Sequence, residues 1–258
     1  MKAKKSYGQH FLNKESIAQD IALGLKATDQ YQQIVEIGPG QGMLTKHLLA
    51  EHPEHELKVV EADRDMVSYL TKHYPALFPN IIAEDFLKVR LEEHLQAPFA
   101  IIGNFPYNIS SQILFKLIEY RQDVPELVGM FQKEVAKRVA AEPNSKAYGV
   151  LTVLVQAYYD TEYLFSVAPE HFNPPPKVQS GVIRLTRKPD FENLGCDERR
   201  FRTIVKTAFG TRRKMLRNSM KQFFPKDVLF EDPLFQKRPE NLSVSEFVAL
   251  TQRASQYL

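Results

Sequence analysis

Gln33-Ile34-Val35-Glu36-Ile37-Gly38-Pro39-Gly40-Gln41-Gly42 is the stretch on which the fold turns. Ile34, Val35 and Ile37 make a short apolar run that reads as a buried strand. The glycines that follow let the chain turn sharply and let backbone approach a ligand at the carboxyl edge of a parallel sheet. A helix is expected behind them, from about Gly42 to Ala50. A dinucleotide fingerprint would need G-x-G-x-x-G, but position 43 is Met43, so the pattern is G-x-G-x-G.

Working outward, further strands are expected at Leu57 to Glu61, Asn80 to Ala83, Phe99 to Gly103 and Leu127 to Phe131. Helices are expected at Lys14 to Ala27 (capped by Asn13), before Pro75, at Ser110 to Tyr120 and at Lys133 to Ala141. Strands alternating with helices imply right-handed βαβ units and a mostly parallel sheet. After a helix around Tyr148 to Ala157 the pattern changes. Strands near Tyr163 to Val167 and Val178 to Thr186 flank the Pro-rich segment Pro169 to Pro176 and read as an antiparallel hairpin. Beyond Lys188 the chain is helical and polar, with helices expected at Glu198 to Phe209, Arg212 to Phe224 and Ser243 to Tyr257. The reading is an α/β domain over 1–188 with a seven-stranded, mostly parallel sheet, followed by a small all-helical domain over 189–258.

At 258 residues the chain can bury a sizeable core without staples. Its single cysteine, Cys196, cannot form an internal disulfide, and no Cys/His spacing suggests zinc. A reducing cytoplasm fits, and no apolar run is long enough to cross a bilayer. The net charge of +3 hides an asymmetry. Between Asp197 and Lys226 ten Lys or Arg stand against two acids, a local +8 that leaves −5 for the remainder. A basic face on an otherwise acidic body suits a polyanion such as nucleic acid, though a solvated helix surface is the plainer alternative.

Three features carry chemistry. Asn104-Phe105-Pro106-Tyr107 follows an apolar strand; the Asn104 amide oxygen and the Phe105 carbonyl can accept the two hydrogens of an exocyclic amine. Pro106 stiffens the turn and biases Phe105 toward extended backbone. Tyr107 offers a face for stacking a base; the alternative is a strand-to-helix turn with a buried tyrosine. Glu61, at the tip of the second strand, is placed to receive both hydroxyls of a ribose. Asp85, after the third, suits an adenine amino group. Each acid alone could equally be a helix cap or a surface charge.

Taken together, Glu36-Ile37-Gly38-Pro39-Gly40, the Glu61 strand, Glu84-Asp85 and Asn104 to Tyr107 resemble class I methyltransferases that use S-adenosylmethionine (SAM) on adenine amines. The chain more closely resembles the small-subunit ribosomal RNA adenine N6-dimethyltransferase family. Tyr7 to Leu12, Gln132 to Val135, Pro143 to Gly149, Phe172 to Val178 and Arg212 to Ser219 match further blocks of that family in order. The likeness therefore covers nearly the whole chain, and the late blocks are more specific than the glycine loop.

The resemblance implies a Rossmann-like fold and a SAM site lined by His10, Leu12, Gly38, Gly40, Glu61, Asp85 and Asn104. The family commonly has Asn at the position of His10 and Leu or Pro at that of Phe105. It also implies that Asn104, Phe105, Pro106, Tyr107 and Phe172 form the catalytic pocket, with Tyr107 and Phe172 clamping a flipped base. Arg212, Arg213, Lys214 and Arg217 would hold RNA phosphates. The implied reaction is dimethylation of two adjacent adenosines in a hairpin near the 3′ end of 16S RNA, within a small subunit or its precursor. No metal is required, and a monomer is expected. A large-subunit RNA methyltransferase and a non-enzymatic assembly factor are the competing readings; a nicotinamide oxidoreductase is disfavoured by Met43.

Overall fold

A computed structural model describes residues 9–257. Tyr7 and Gly8 of the N-terminal motif lie outside the described residues. Packing divides the chain into two units, one of residues 1–137 and 160–187, the other of 138–159 and 188–258. Residues 138–159, which the sequence reading put in the first domain, thus group with the second unit.

Among the described residues, the first unit is built on nine strands: β1 (Phe11–Leu12), β2 (Gln33–Ile37), β3 (Glu56–Val60), β4 (Ile81–Ile82), β5 (Phe99–Asn104), β6 (Glu126–Gln132), β7 (Tyr159–Val167), β8 (Phe172–Asn173) and β9 (Ser180–Arg187). Seven of them form one sheet in the order β4-β3-β2-β5-β6-β9-β7. The first five are parallel to their neighbours, and β9 runs antiparallel to β6. Strand order reverses between β2 and β5, and the crevice outside the carboxyl ends at such a point is where open α/β sheets bind ligands. Every residue of β2 is buried, as expected of a strand covered on both faces. Burying side chains such as Ile34 and Ile102 stabilises the sheet by about 1.5–3 kcal/mol each.

β1 and β8 make a separate two-stranded pair, with Leu12 opposite Phe172. The N-terminal motif is thereby laid against the Pro-rich segment. The first helix is shorter than expected, Glu15–Ala22, and Lys14 rather than Asn13 occupies its cap position, without a side-chain bond. The chain leaves it through Gly24, where an added Cβ would lie 2.9 Å from the Ile21 carbonyl oxygen. Residues 26–31 are instead fastened to β6. The buried Glu126 carboxylate accepts from the backbone N–H of Lys26 and Ala27 and from the Tyr31 hydroxyl.

In the second unit, the helix expected over Arg212 to Phe224 is reduced to Leu216–Ser219. Leu216 is buried and its N–H donates to the Lys237 carbonyl at 2.9 Å, so tertiary pairing replaces a continuous helix there.

Candidate active site

The glycine loop gets its shape from backbone that L side chains rarely adopt. Gly38 has φ +67° and Gly42 has φ +81°. A Cβ on Gly42 would meet the Tyr74 ring at 2.5 Å, whereas one on Gly38 would point into open space. Tyr74 closes the turn by donating its hydroxyl to the Gly42 carbonyl at 3.0 Å. The result is a cavity of about 540 Å³ at the carboxyl ends of the strands, within the size range of small-molecule and cofactor sites. It is lined by the glycine loop, residues 9–12, Glu61, Asp85 and the segment Asn104 to Ile109.

Glu61 sits on the cavity wall at 7% exposure. One of its oxygens accepts from the Asp63 N–H at 2.8 Å and the other from the Gly40 N–H at 3.2 Å. Burial pushes its carboxyl upward, opposed by those two bonds. Asp63 in turn caps the helix Arg64–His73 by accepting from the Asp65 N–H, and it also receives the Gln9 amide at 3.0 Å. Asp85 is half-buried beside the cavity and accepts from the Leu87 N–H at 2.9 Å. Beneath the loop, Glu36 is fully buried and accepts from the Thr45 hydroxyl at 2.6 Å. Burial raises its carboxyl to about 8, the Thr45 bond working against that and the Glu61 charge with it. Sequence reasoning quoted Glu36 only as part of a motif; an acid in an otherwise apolar strand was the available signal for a buried, uncharged carboxyl.

At the end of β5, Asn104 donates its amide N–H to the His10 carbonyl at 3.0 Å. That places the amide oxygen on the opposite branch, and among the described residues it accepts nothing. Phe105 hides its side chain, whose ring lies against Gly103 and Gly129 and packs on Phe131 at a centroid distance of 4.9 Å, while the residue still borders the cavity. A Cβ on Gly129 would stand 2.0 Å from that ring, so glycine at this point of β6 is what admits Phe105. Tyr107 is half-buried, shares a hydrogen bond with Ser180, and its phenol is pushed up by burial. His10 stacks on one face of Tyr107, with centroids 5.5 Å apart, and donates Nδ1–H to the Pro174 carbonyl at 2.7 Å.

Two of the expected site residues are engaged within the fold. Phe172 does not line the cavity: it is 2% exposed and packs in the core with Leu12 and neighbouring apolar residues, drawn in by the β1–β8 pairing. Arg212 is paired: its Nε donates to Glu240 at 2.7 Å and its Nη2 to the Ser145 carbonyl at 3.2 Å, within the second unit. Arg213 and Lys214 are exposed, and Arg217 lies over the Phe230 ring at 5.5 Å. The sequence could not reveal the Glu240 partnership because it spans 28 residues.

Residues 1–248 match the family described as ribosomal RNA adenine dimethylase. The chain belongs to that family. It is 55% identical over 256 residues to a ribosomal RNA small subunit methyltransferase A of Flavobacterium johnsoniae, covering 98% of this chain and 96% of that one. A Cytophaga hutchinsonii protein of the same description is 52% identical, covering 99% and 98%. Among solved structures, a dimethyladenosine transferase from Plasmodium falciparum superposes with a TM-score of 0.81 at 26% identity, covering 96% of this chain and 98% of that chain. The fold is that of class I SAM-dependent methyltransferases, and the family is enzymatic, with SAM as methyl donor. The cavity fits that group: the buried Glu61 carboxylate at the tip of β3, an open-sided Gly38 and acceptors at Asn104 and Phe105 that no described residue occupies together suit a nucleoside carrying a cationic sulfur.

Proposed function

We propose that this chain dimethylates N6 of two adjacent adenosines in a hairpin near the 3′ end of 16S RNA, within the small subunit or its precursor. The observation that carries this reading is the Asn104 amide at the cavity wall, tied through its N–H to the His10 carbonyl, which leaves its oxygen as the branch that can accept from a target amine. Bound SAM supplies an electrophilic methyl group on sulfur. The chain's own part is alignment and charge. Glu61 holds the ribose and Asp85 the adenine amino group of the donor. The two acceptors at Asn104 and Phe105 receive the hydrogens of the target amine, favour its pyramidal form and stabilise positive charge as it develops there. Preorganised partners of this kind are typically worth about 10²–10³ in rate. The methylated adeninium is acidic and releases its proton to water, so no strong base is needed.

The target base stacks on the face of Tyr107 that His10 leaves open. Arg213, Lys214 and Arg217 hold phosphates and position the RNA without reading sequence. The small-subunit assignment is supported by the descriptions of relatives that match nearly end to end. The enzyme acts as a cytoplasmic monomer in this reading. No helix among the described residues is long and apolar enough to cross a membrane.

The test is methyl incorporation from labelled SAM into small subunits that lack the modification, followed by mapping of the methylated adenines. Dimethyladenosine at an adjacent pair near the 3′ end is expected. Methylation confined to large-subunit RNA would overturn the assignment.

A further inference from the structure

At the amino-terminal end of β3, far from the cavity, the chain makes the turn His52-Pro53-Glu54-His55. It is closed by the His55 N–H donating to the His52 carbonyl at 3.1 Å, and proline is favoured early in such turns. The turn brings one potential ligand atom from each of His52, Glu54 and His55 to within 4.8 Å of one another. The tautomers follow from the hydrogen bonds. His52 Nε2 lies 3.0 Å from the Ala22 carbonyl and His55 Nε2 lies 2.9 Å from the Thr28 carbonyl. A carbonyl can only accept, so both rings carry a proton on Nε2, and in its neutral form each imidazole presents a lone pair at Nδ1.

His55 Nδ1 is buried, on a side chain 5% exposed, and has no hydrogen-bond partner. What it faces is Glu54 Oε1 at 3.2 Å. Two acceptors that close repel unless a proton or a metal cation lies with them, and no hydrogen bond joins this pair. Imidazoles fixed through their other nitrogen to backbone carbonyls are also what metal sites use to orient ligands. We propose that His52 Nδ1, His55 Nδ1 and the Glu54 carboxylate form a site for a divalent transition-metal ion, with zinc the best match to two imidazoles and a carboxylate. Tetrahedral zinc with bonds of about 2.0–2.1 Å sets its ligand atoms about 3.3 Å apart. The His55–Glu54 pair already has that spacing, and Glu54, with a side chain 65% exposed, can swing to complete the set. Water takes the fourth position.

No Cys/His spacing suggests zinc in the sequence; His-Pro-Glu-His becomes a candidate only once both Nε2 partners are known. The ion would act as a staple. Its two imidazoles grip the carbonyls of Ala22 and Thr28, on either side of the loop after the first helix. Length separates this function from catalysis: β3 runs five residues from here to Glu61, about 16 Å.

The test titrates Zn²⁺ into the full-length chain against a chromophoric chelator and follows thermal midpoints in parallel. One equivalent per chain is expected, with a midpoint that climbs with Zn²⁺ concentration. Glu54→Gln, a surface change that leaves the fold intact, should weaken Zn²⁺ at least tenfold, and His52→Gln should abolish the site. SAM affinity should be the same with and without the ion. Zn²⁺ binding of equal strength in parent and Glu54→Gln would overturn the proposal. So would a parent that binds none at about 100 μM, or a His55 imidazole shown by nitrogen NMR to carry protons on both nitrogens in the presence of Zn²⁺.

Discussion

The side-chain amide of Asn104 donates to the main-chain carbonyl of His10 at 3.0 Å, across 94 residues of sequence. That bond uses the nitrogen branch of the amide and so decides which atom the cavity sees. A target amine must lose electron density as it is alkylated, and an oxygen facing it helps where an N–H would repel. In this bond His10 contributes through its backbone, while its ring donates to the Pro174 carbonyl and stacks on Tyr107.

Replacing Asn104 with Ala should therefore act mainly on the chemical step. A fall of about 10²-fold or more in single-turnover rate at saturating SAM is expected. RNA affinity should hold, because phosphate contacts dominate it. Unchanged turnover in the variant would restrict Asn104 to holding the cofactor.

Glu61→Gln keeps the shape of the ribose contact but removes its charge, where each charge-assisted bond is worth about 1.5–3 kcal/mol. SAM affinity measured by calorimetry should drop at least tenfold. Burial raises the Glu61 carboxyl, so parental affinity should begin to weaken on acidification above the ordinary carboxylate range. The glutamine variant should lack that pH dependence; identical pH profiles would remove Glu61 from the site.

Glu36 makes a separate prediction about stability. Its folded-state carboxyl titrates at about 8 against an ordinary 4.5, so the folded protein holds this proton more tightly than the unfolded chain. The resulting stabilisation is complete below about pH 4.5 and is lost as pH rises through about 8. Thermal midpoints compared at pH 5.5 and pH 9 should show Glu36→Gln gaining on the parent at the higher pH. Parallel curves would mean that Glu36 is not protonated in the fold.

For the basic segment, Arg213→Gln with Lys214→Gln should weaken RNA binding and lower its salt slope by a little under one unit per lost phosphate contact. Arg212→Gln should instead lower stability, since it strips Glu240 and the Ser145 carbonyl of their partner. If all three changes shift the salt slope equally, Arg212 leaves Glu240 to meet RNA.

Phe172 separates packing from stacking. Phe172→Ala should cost about 3–5 kcal/mol of stability, as emptied aromatic core sites do. Phe172→Leu should keep near-parental turnover, because the side chain lies away from the cavity. A large loss of turnover in the leucine variant, with the fold intact, would return Phe172 to the base clamp.

The contrast between Glu61 and these last two residues shows what a sequence discloses. The strands, the glycine loop and the acids at their tips are local patterns, and alternation of strand and helix brings those tips to one edge whatever the details. Seven strands expected along the chain meet in one sheet for that reason. Phe172 and Arg212 depend on partners far along the chain, Leu12 for the first and Glu240 for the second. Aromatic beside Pro-Pro-Pro and arginine in a basic run both suggest exposure, and only tertiary pairing reverses it. The broken helix at Leu216 has the same origin, since its N–H answers to Lys237.

The β1–β8 pair also orders events in time. His10 and Pro174 meet across 164 residues, so the strip that carries His10, Leu12 and the bond to Asn104 has no place to dock until the Pro-rich segment has left the ribosome. At synthesis rates of about 5–20 residues per second, the floor of the cavity waits many seconds for its rim. A nascent chain in that interval lacks the Pro174 carbonyl that anchors His10, and with it a fixed seat for the bond to Asn104. Competence to hold the donor in register should thus arrive abruptly and late, with the seating of two residues against two.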